Sequence, residues 1–144
     1  MPALTYSWQY VTNLYGLGVP TITTLEAASG IYTKDGTLLM MSSGQVTPAV
    51  GSVVLPVGLA AEVIAVAATA ADPVKVMILR PGDVIKGTAD ADASALSGFS
   101  GKLGDFNSDG SFDVGDTSNG CASVWRTEDS GLTVFLVLTI FATS

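Results

Sequence analysis

Sixteen glycines and six prolines cut this chain of 144 residues into pieces too short for long helices. What lies between the breaks reads as short strands. Residues 37–41 follow an Asp35-Gly36 turn and precede Ser42-Ser43-Gly44, the pattern of one arm of a hairpin. The runs at 62–68 (EVIAVAA) and 74–79 (VKVMIL) flank Thr69-Ala70-Ala71-Asp72-Pro73 and predict a second hairpin. Alanine favours helix in 58–71, but Val63, Ile64, Val66 and the Asp-Pro stop favour strand. Arg80-Pro81-Gly82-Asp83 predicts a turn into a strand at 84–86. Residues 121–126 and 132–141 form a third hairpin across Thr127-Glu128-Asp129-Ser130-Gly131. In that last strand Leu132, Val134, Leu136, Leu138 and Ile140 share one face, and Thr133, Phe135, Val137, Thr139 and Phe141 the other. Both faces are largely apolar, so the strand is read as covered on both sides, by core or by another subunit.

The fold class is therefore all-β, with room for one short helix at 89–97. The architecture is a small barrel or sandwich of short antiparallel strands. Residues 1–20 form an aromatic arm or a first strand, and residues 21–144 a single β-rich domain. Tyr6, Trp8 and Tyr10 alternate and Tyr15 follows, all in a stretch without charge. Period-2 spacing puts the first three rings on one face. They are either an ordinary first strand on its own core or an arm docking on a neighbour, and so form a candidate interface set.

Only 13% of residues are charged, against about 25% in typical soluble proteins. The apolar surface this implies points to protein–protein contact and a homo-oligomer. Residues 1–71 carry only Glu26, Lys34, Asp35 and Glu62, whereas residues 83–116 hold seven aspartates. The chain has no histidine, which removes imidazole bases and histidine-ligated zinc. Its one cysteine, Cys121, reads as a small buried hydrophobe. A net charge of −7 argues against nucleic acid. The most apolar run, ten residues at 132–141, is short of the ~20 a membrane helix needs. Met1-Pro2-Ala3-Leu4-Thr5 carries no export pattern, which leads to the expectation of a protein made in a reducing cytoplasm. Glu62 and Asp83 are read as single carboxylates near strand ends, with nothing to show that they pair. No nucleophile–base pair can be named, and the chain is read as a non-enzyme.

One stretch carries metal chemistry. Residues 105–116 set Asp105, Asn107 and Asp109 at positions 1, 3 and 5 of a twelve-position calcium loop. Gly110 takes the turn at 6, Ser111 offers its carbonyl at 7, and Asp113 and Asp116 stand at 9 and 12. The spacing resembles the calcium loop of dockerin modules. The flanks are not helical, and the bland alternative is a solvated Asp/Asn/Gly turn. Ca²⁺ is thus a candidate ligand that would pin the loop. No cofactor is required.

The order Asp35-Gly36-Thr37-Leu38-Leu39-Met40-Met41-Ser42-Ser43-Gly44-Gln45-Val46, Pro48-Ala49, Gly58-Leu59-Ala60-Ala61-Glu62-Val63, residues 74–79 and Arg80-Pro81-Gly82-Asp83-Val84 resembles the decoration, or cement, proteins of tailed bacteriophages. The resemblance covers residues 30–90. It implies a small β-rich virion protein without catalytic residues, trimeric, bound on the outside of the head to the major capsid protein. The neutral residues 1–71 would then face the capsid, and the acidic 83–116 the solvent. The alternative from the binding-module class is a calcium-stabilised adhesion or carbohydrate-binding domain.

Overall fold

A computed structural model describes residues 4–50, 56–117 and 120–138. Within them the chain is nearly all β, in three antiparallel sheets. The first sheet has the order β1-β7-β11-β10, from Gln9–Asn13, Asp83–Thr88, Thr133–Leu138 and Ala122–Glu128. The second has the order β2-β6-β5-β3-β4, from Ile22–Glu26, Pro73–Ile78, Pro56–Ala60, Leu38–Ser42 and Gln45–Pro48. β8 (Asp105–Phe106) and β9 (Phe112–Asp113) form a small hairpin of their own. The place foreseen for a helix holds one 3-10 turn, Ser94–Leu96.

The second sheet curls until its two edges meet. Ala27 bridges Val46, and Ala28 N donates to Val46 O at 2.9 Å. Ala27, Leu39, Val46, Ala60, Val74 and Val76 line the inside of this curl. Strand alternation sends Leu38 and Leu59 to the opposite face, where they join Ile85, Val124, Val134 and Leu136 of the first sheet in the larger core. The molecule thus combines a nearly closed small barrel with a sandwich contact.

The hairpin at 38–48 forms as expected, and its Ser43-Gly44 turn has φ of 52° and 80°. That pair of positive φ values matches the right-handed strand twist. β10 and β11 pair as expected, and β7 follows the Arg80–Asp83 turn. The hairpin between 62–68 and 74–79 does not form. β6 instead pairs with β2 and β5, and residues 61–70 make a loop bridged to Thr33 through Ile64. Val63 and Val66 are exposed. Three glycine-free apolar positions do not make a strand when nearer partners satisfy the ladder.

β11 is covered on both sides, but not by another layer on the outer one. Across the outer face Lys86, Phe135 and Arg126 stand in register. The Arg126 guanidinium lies 3.8 Å from the Phe135 ring centroid and the Lys86 ammonium 5.6 Å from it. Phe135 is buried under these two cationic side chains. Leu132 falls outside the strand and is exposed. Thr139, Ile140 and Phe141 lie outside the described residues.

Candidate functional site

The N-terminal aromatics do not act as one face. Regular pairing begins only at Gln9, and the register of β1 shifts between Tyr10 and Thr12. Trp8 is 3% exposed and belongs to the main core, which removes it from the candidate interface. Its indole Nε1 donates to Gly110 O at 2.9 Å, and its ring meets Phe106 edge-on at 5.5 Å. Glycine is needed at position 87, because a Cβ there would collide with the Trp8 ring. A glycine inside a strand is a signal that could have pointed to this close approach. Tyr10 is half-buried, Tyr6 is at the margin of exposure, and Tyr15 is 74% exposed. Only Tyr15 presents most of its ring.

Tyr15 sits in a loop that is fixed from within. Asn13, the buried last residue of β1, accepts at Oδ1 from Tyr15 N (2.8 Å) and Leu17 N (3.3 Å). Its Nδ2 donates to Asp83 Oδ1 (2.9 Å) and Pro81 O (3.1 Å). Asp83 is buried and also accepts from Arg80 N (2.6 Å) and from the Arg80 guanidinium, with Nη2 to Oδ1 at 3.0 Å. Arg80 Nη2 reaches on to Gly18 O. The Tyr15 ring lies over Gly82, whose φ of 82° and missing side chain make room for it. Asp83 is thus a single carboxylate with cationic and amide partners. Its partners are Arg80, three residues before it, and Asn13, distant in sequence, which only the fold brings near.

This clamp holds out an uncharged loop with Leu14, Tyr15, Leu17 and Val19 exposed, the last by 73%. Ile22 and Val11 are exposed as well. Ordering entropy is the usual charge on a binding loop, and a loop already fixed avoids most of it on docking.

The acidic stretch takes another form than a calcium loop. Asp105 and Asp113 face each other across the β8–β9 hairpin. The Ser111 carbonyl, expected as a ligand, accepts instead from Asn107 N at 2.9 Å. Asn107 Nδ2 donates to Asp90 and to Ser111 Oγ. Asp109 accepts from Ser111 N (3.0 Å) and Oγ (2.6 Å). Those two hydrogen bonds, the hydroxyl's foremost, hold the Asp109 carboxyl below its ordinary value. Asp105, Asp113 and Asp116 do converge, with one carboxylate oxygen of each within 4.8 Å of the others. Three of the six expected positions are thus brought together. Three carboxylates supply part of the six to eight oxygens calcium takes, the remainder falling to water or further carbonyls. Beneath them Cys121 is buried, and its thiol is pushed up to about 12 by burial first and by the charge of Asp105 second.

The chain matches no protein-family model and no curated protein. Among the described residues no helix is long and apolar enough to cross a membrane.

Proposed function

We propose that this is a structural virion protein that binds the outside of a bacteriophage head and stabilises the lattice by bridging major capsid subunits. The observation that carries the reading is the clamped, uncharged loop from Leu14 to Val19, a rigid apolar knob on a chain of net charge −7. One ring and its apolar neighbours, held in place by a buried polar network, suit docking into a partner's pocket. The Pro-Gly-Asp turn that carries the resemblance to decoration proteins also supplies two parts of the clamp, Gly82 and Asp83. A ligand that binds only the assembled shell adds its binding free energy to the shell's stability. A trimer strengthens this through intramolecular rebinding, and the protein is proposed to be one. Sedimentation at micromolar concentration should give the trimer mass; the mass of one chain would count against it.

Tyr15 and Val19 are both mostly exposed, so replacing both by serine should leave stability within about 0.5 kcal/mol. The same pair of substitutions should abolish co-sedimentation with shells. Undiminished binding by the doubly substituted chain would sink the loop's role.

The second reading, a calcium-stabilised adhesion or carbohydrate-binding module, is favoured by the convergence of Asp105, Asp113 and Asp116. It requires a higher melting temperature in calcium than in chelator. Identical melting curves would leave the hairpin as a solvated acidic turn.

A further inference from the structure

A cleft of about 440 Å³ lies where β1 of the first sheet passes β5 and β6 of the second. Ligand sites commonly measure about 300–1,000 Å³ and are apolar with a few placed polar groups. Leu59, Ala60, Ala61 and Met77 give this cleft an apolar lining, and Tyr10 adds an aromatic residue. Among the described residues that line it, Asp35 is the one that is charged.

The backbone of Asp35 is fixed. Thr37 N donates to Lys34 O at 3.0 Å, closing a turn with Asp35 and Gly36 at its corner. Gly36 N donates to Ala60 O at 2.8 Å, and Gly36 O accepts from Trp8 N at 2.7 Å. The turn is thereby tied to β5 on one side and to the segment leading into β1 on the other. A Cβ at position 36 would run into Trp8 O, so glycine lets the turn seat this closely. The Asp35 side chain, by contrast, is exposed and uncommitted. Among the described residues it makes neither a hydrogen bond nor an ion pair. Lys34, its neighbour in the chain, is engaged elsewhere, with Nζ donating to Thr5 O at 2.5 Å.

An apolar lining with one uncommitted carboxylate fits a side chain that has an apolar stem and a cationic head. We infer that the cleft receives an arginine side chain of the protein's partner, with its guanidinium on Asp35 and its stem along the apolar lining. The planar fork of arginine takes a carboxylate through two hydrogen bonds, where lysine offers a point charge. An aromatic neighbour such as Tyr10 favours the guanidinium again. Arginine is also among the residues that anchor interfaces. The net charge of −7 draws a basic partner. A second copy is the poorer donor, because both arginines of this chain already have carboxylate partners, Arg80 on Asp83 and Arg126 on Glu128. β1 runs from this cleft into the clamped loop at 13–19, so one partner can engage both. The inference rests on the reading of this chain as a partner-bound structural protein, and it names what the partner inserts.

The probe is a blocked glycine–arginine–glycine peptide, added to the full chain and followed by amide chemical shifts. Shifts should move at Gln9, Tyr10, Gly36 and Ala61. The same peptide with citrulline, which keeps the shape and loses the charge, should bind about fivefold more weakly, with lysine in between. Asp35→Asn should remove that preference, so that arginine and citrulline bind alike. The comparison of peptides needs only the wild-type chain and holds whether or not the variant folds. On shells, Asp35→Asn should weaken co-sedimentation about fivefold. The inference is overturned if arginine and citrulline bind the wild-type chain alike, or if the shifts fall at the acidic hairpin instead of the cleft. It is also overturned if the cleft amides move with protein concentration alone, which would make a second copy the occupant. Shell binding by Asp35→Asn as tight as that of the wild type would overturn it too, and would leave the role on the shell standing. A chain that takes the arginine peptide in the cleft yet binds no shell keeps this site and loses the shell reading.

Discussion

Two loops of this protein are built on opposite plans. The loop at 13–19 is fastened by polar groups and displays apolar ones: Asn13, Asp83 and Arg80 lie inward, and Tyr15, Leu17 and Val19 outward. The hairpin at 105–113 is fastened by apolar groups and displays polar ones. Phe106 and Phe112 pack edge-on to each other at 6.2 Å, with Phe106 against Trp8, while carboxylates gather at its mouth. The N-terminal segment that runs on into the first loop also fastens the second, since Trp8 Nε1 donates to Gly110 O and Tyr6 N to Asp109 O. A fixed loop needs only satisfied buried partners, and either chemistry supplies them. What each is free to bind then follows from what remains outside.

The largest effect is at the residue that fastens the acidic hairpin. Trp8→Ala empties a buried ring site and leaves Gly110 O without its indole donor, at a cost of about 3–5 kcal/mol, read by chemical denaturation. Deleting residues 1–15 should likewise unfold the body, because Leu4 and Trp8 are core. Next is Asp83→Ala, which leaves Asn13 Nδ2 short of one acceptor in a buried site and should cost about 1–3 kcal/mol. It should also free the loop, so that backbone relaxation at Leu14–Val19 rises while the 105–113 hairpin is unchanged.

Smaller effects sharpen the acidic side. The raised Cys121 thiol contributes stability that is complete below its unfolded value near 9 and lost as pH rises toward about 12. Alkaline unfolding should therefore shift to higher pH in Cys121→Ala, and native Cys121 should alkylate far more slowly than the urea-unfolded chain. The smallest effect is at Asp109. Its lowered carboxyl contributes stability present above the unfolded value and lost as pH falls through the folded one. Asp109→Asn should flatten the acid limb of the stability curve below about pH 4.

Much of the fold was legible because its signals were local. Ser43-Gly44, the Arg80–Asp83 turn and the loop read at 127–131 each declare a strand boundary within a few residues, although Thr127 and Glu128 still belong to β10. β2 and β5 were not legible. Ile22–Glu26 is exposed and so lacks a buried face to give period 2, and β5 contains Gly58, packed against β6. The run 62–68 misled because apolar composition speaks of burial only where a partner stands nearby, and β6 had two better ones. At the acidic stretch the spacing of Asp105, Asp113 and Asp116 was informative, since a hairpin brings first and last residues together as a calcium loop would. Asn107, Asp109 and Ser111 followed the hairpin's own ladder instead. The clamp was invisible for a different reason: Asn13 and Asp83 are 70 residues apart and meet only through β1–β7 pairing.

The role proposed for the protein is to hold a head together from outside. Its most direct test is to heat virions that carry the protein beside virions from which its gene has been deleted, following release of packaged nucleic acid. The account predicts release at a distinctly lower temperature without the protein, restored by adding the purified wild-type chain and not by one with Tyr15 and Val19 replaced by serine. Heads that release at the same temperature with and without the protein would contradict it.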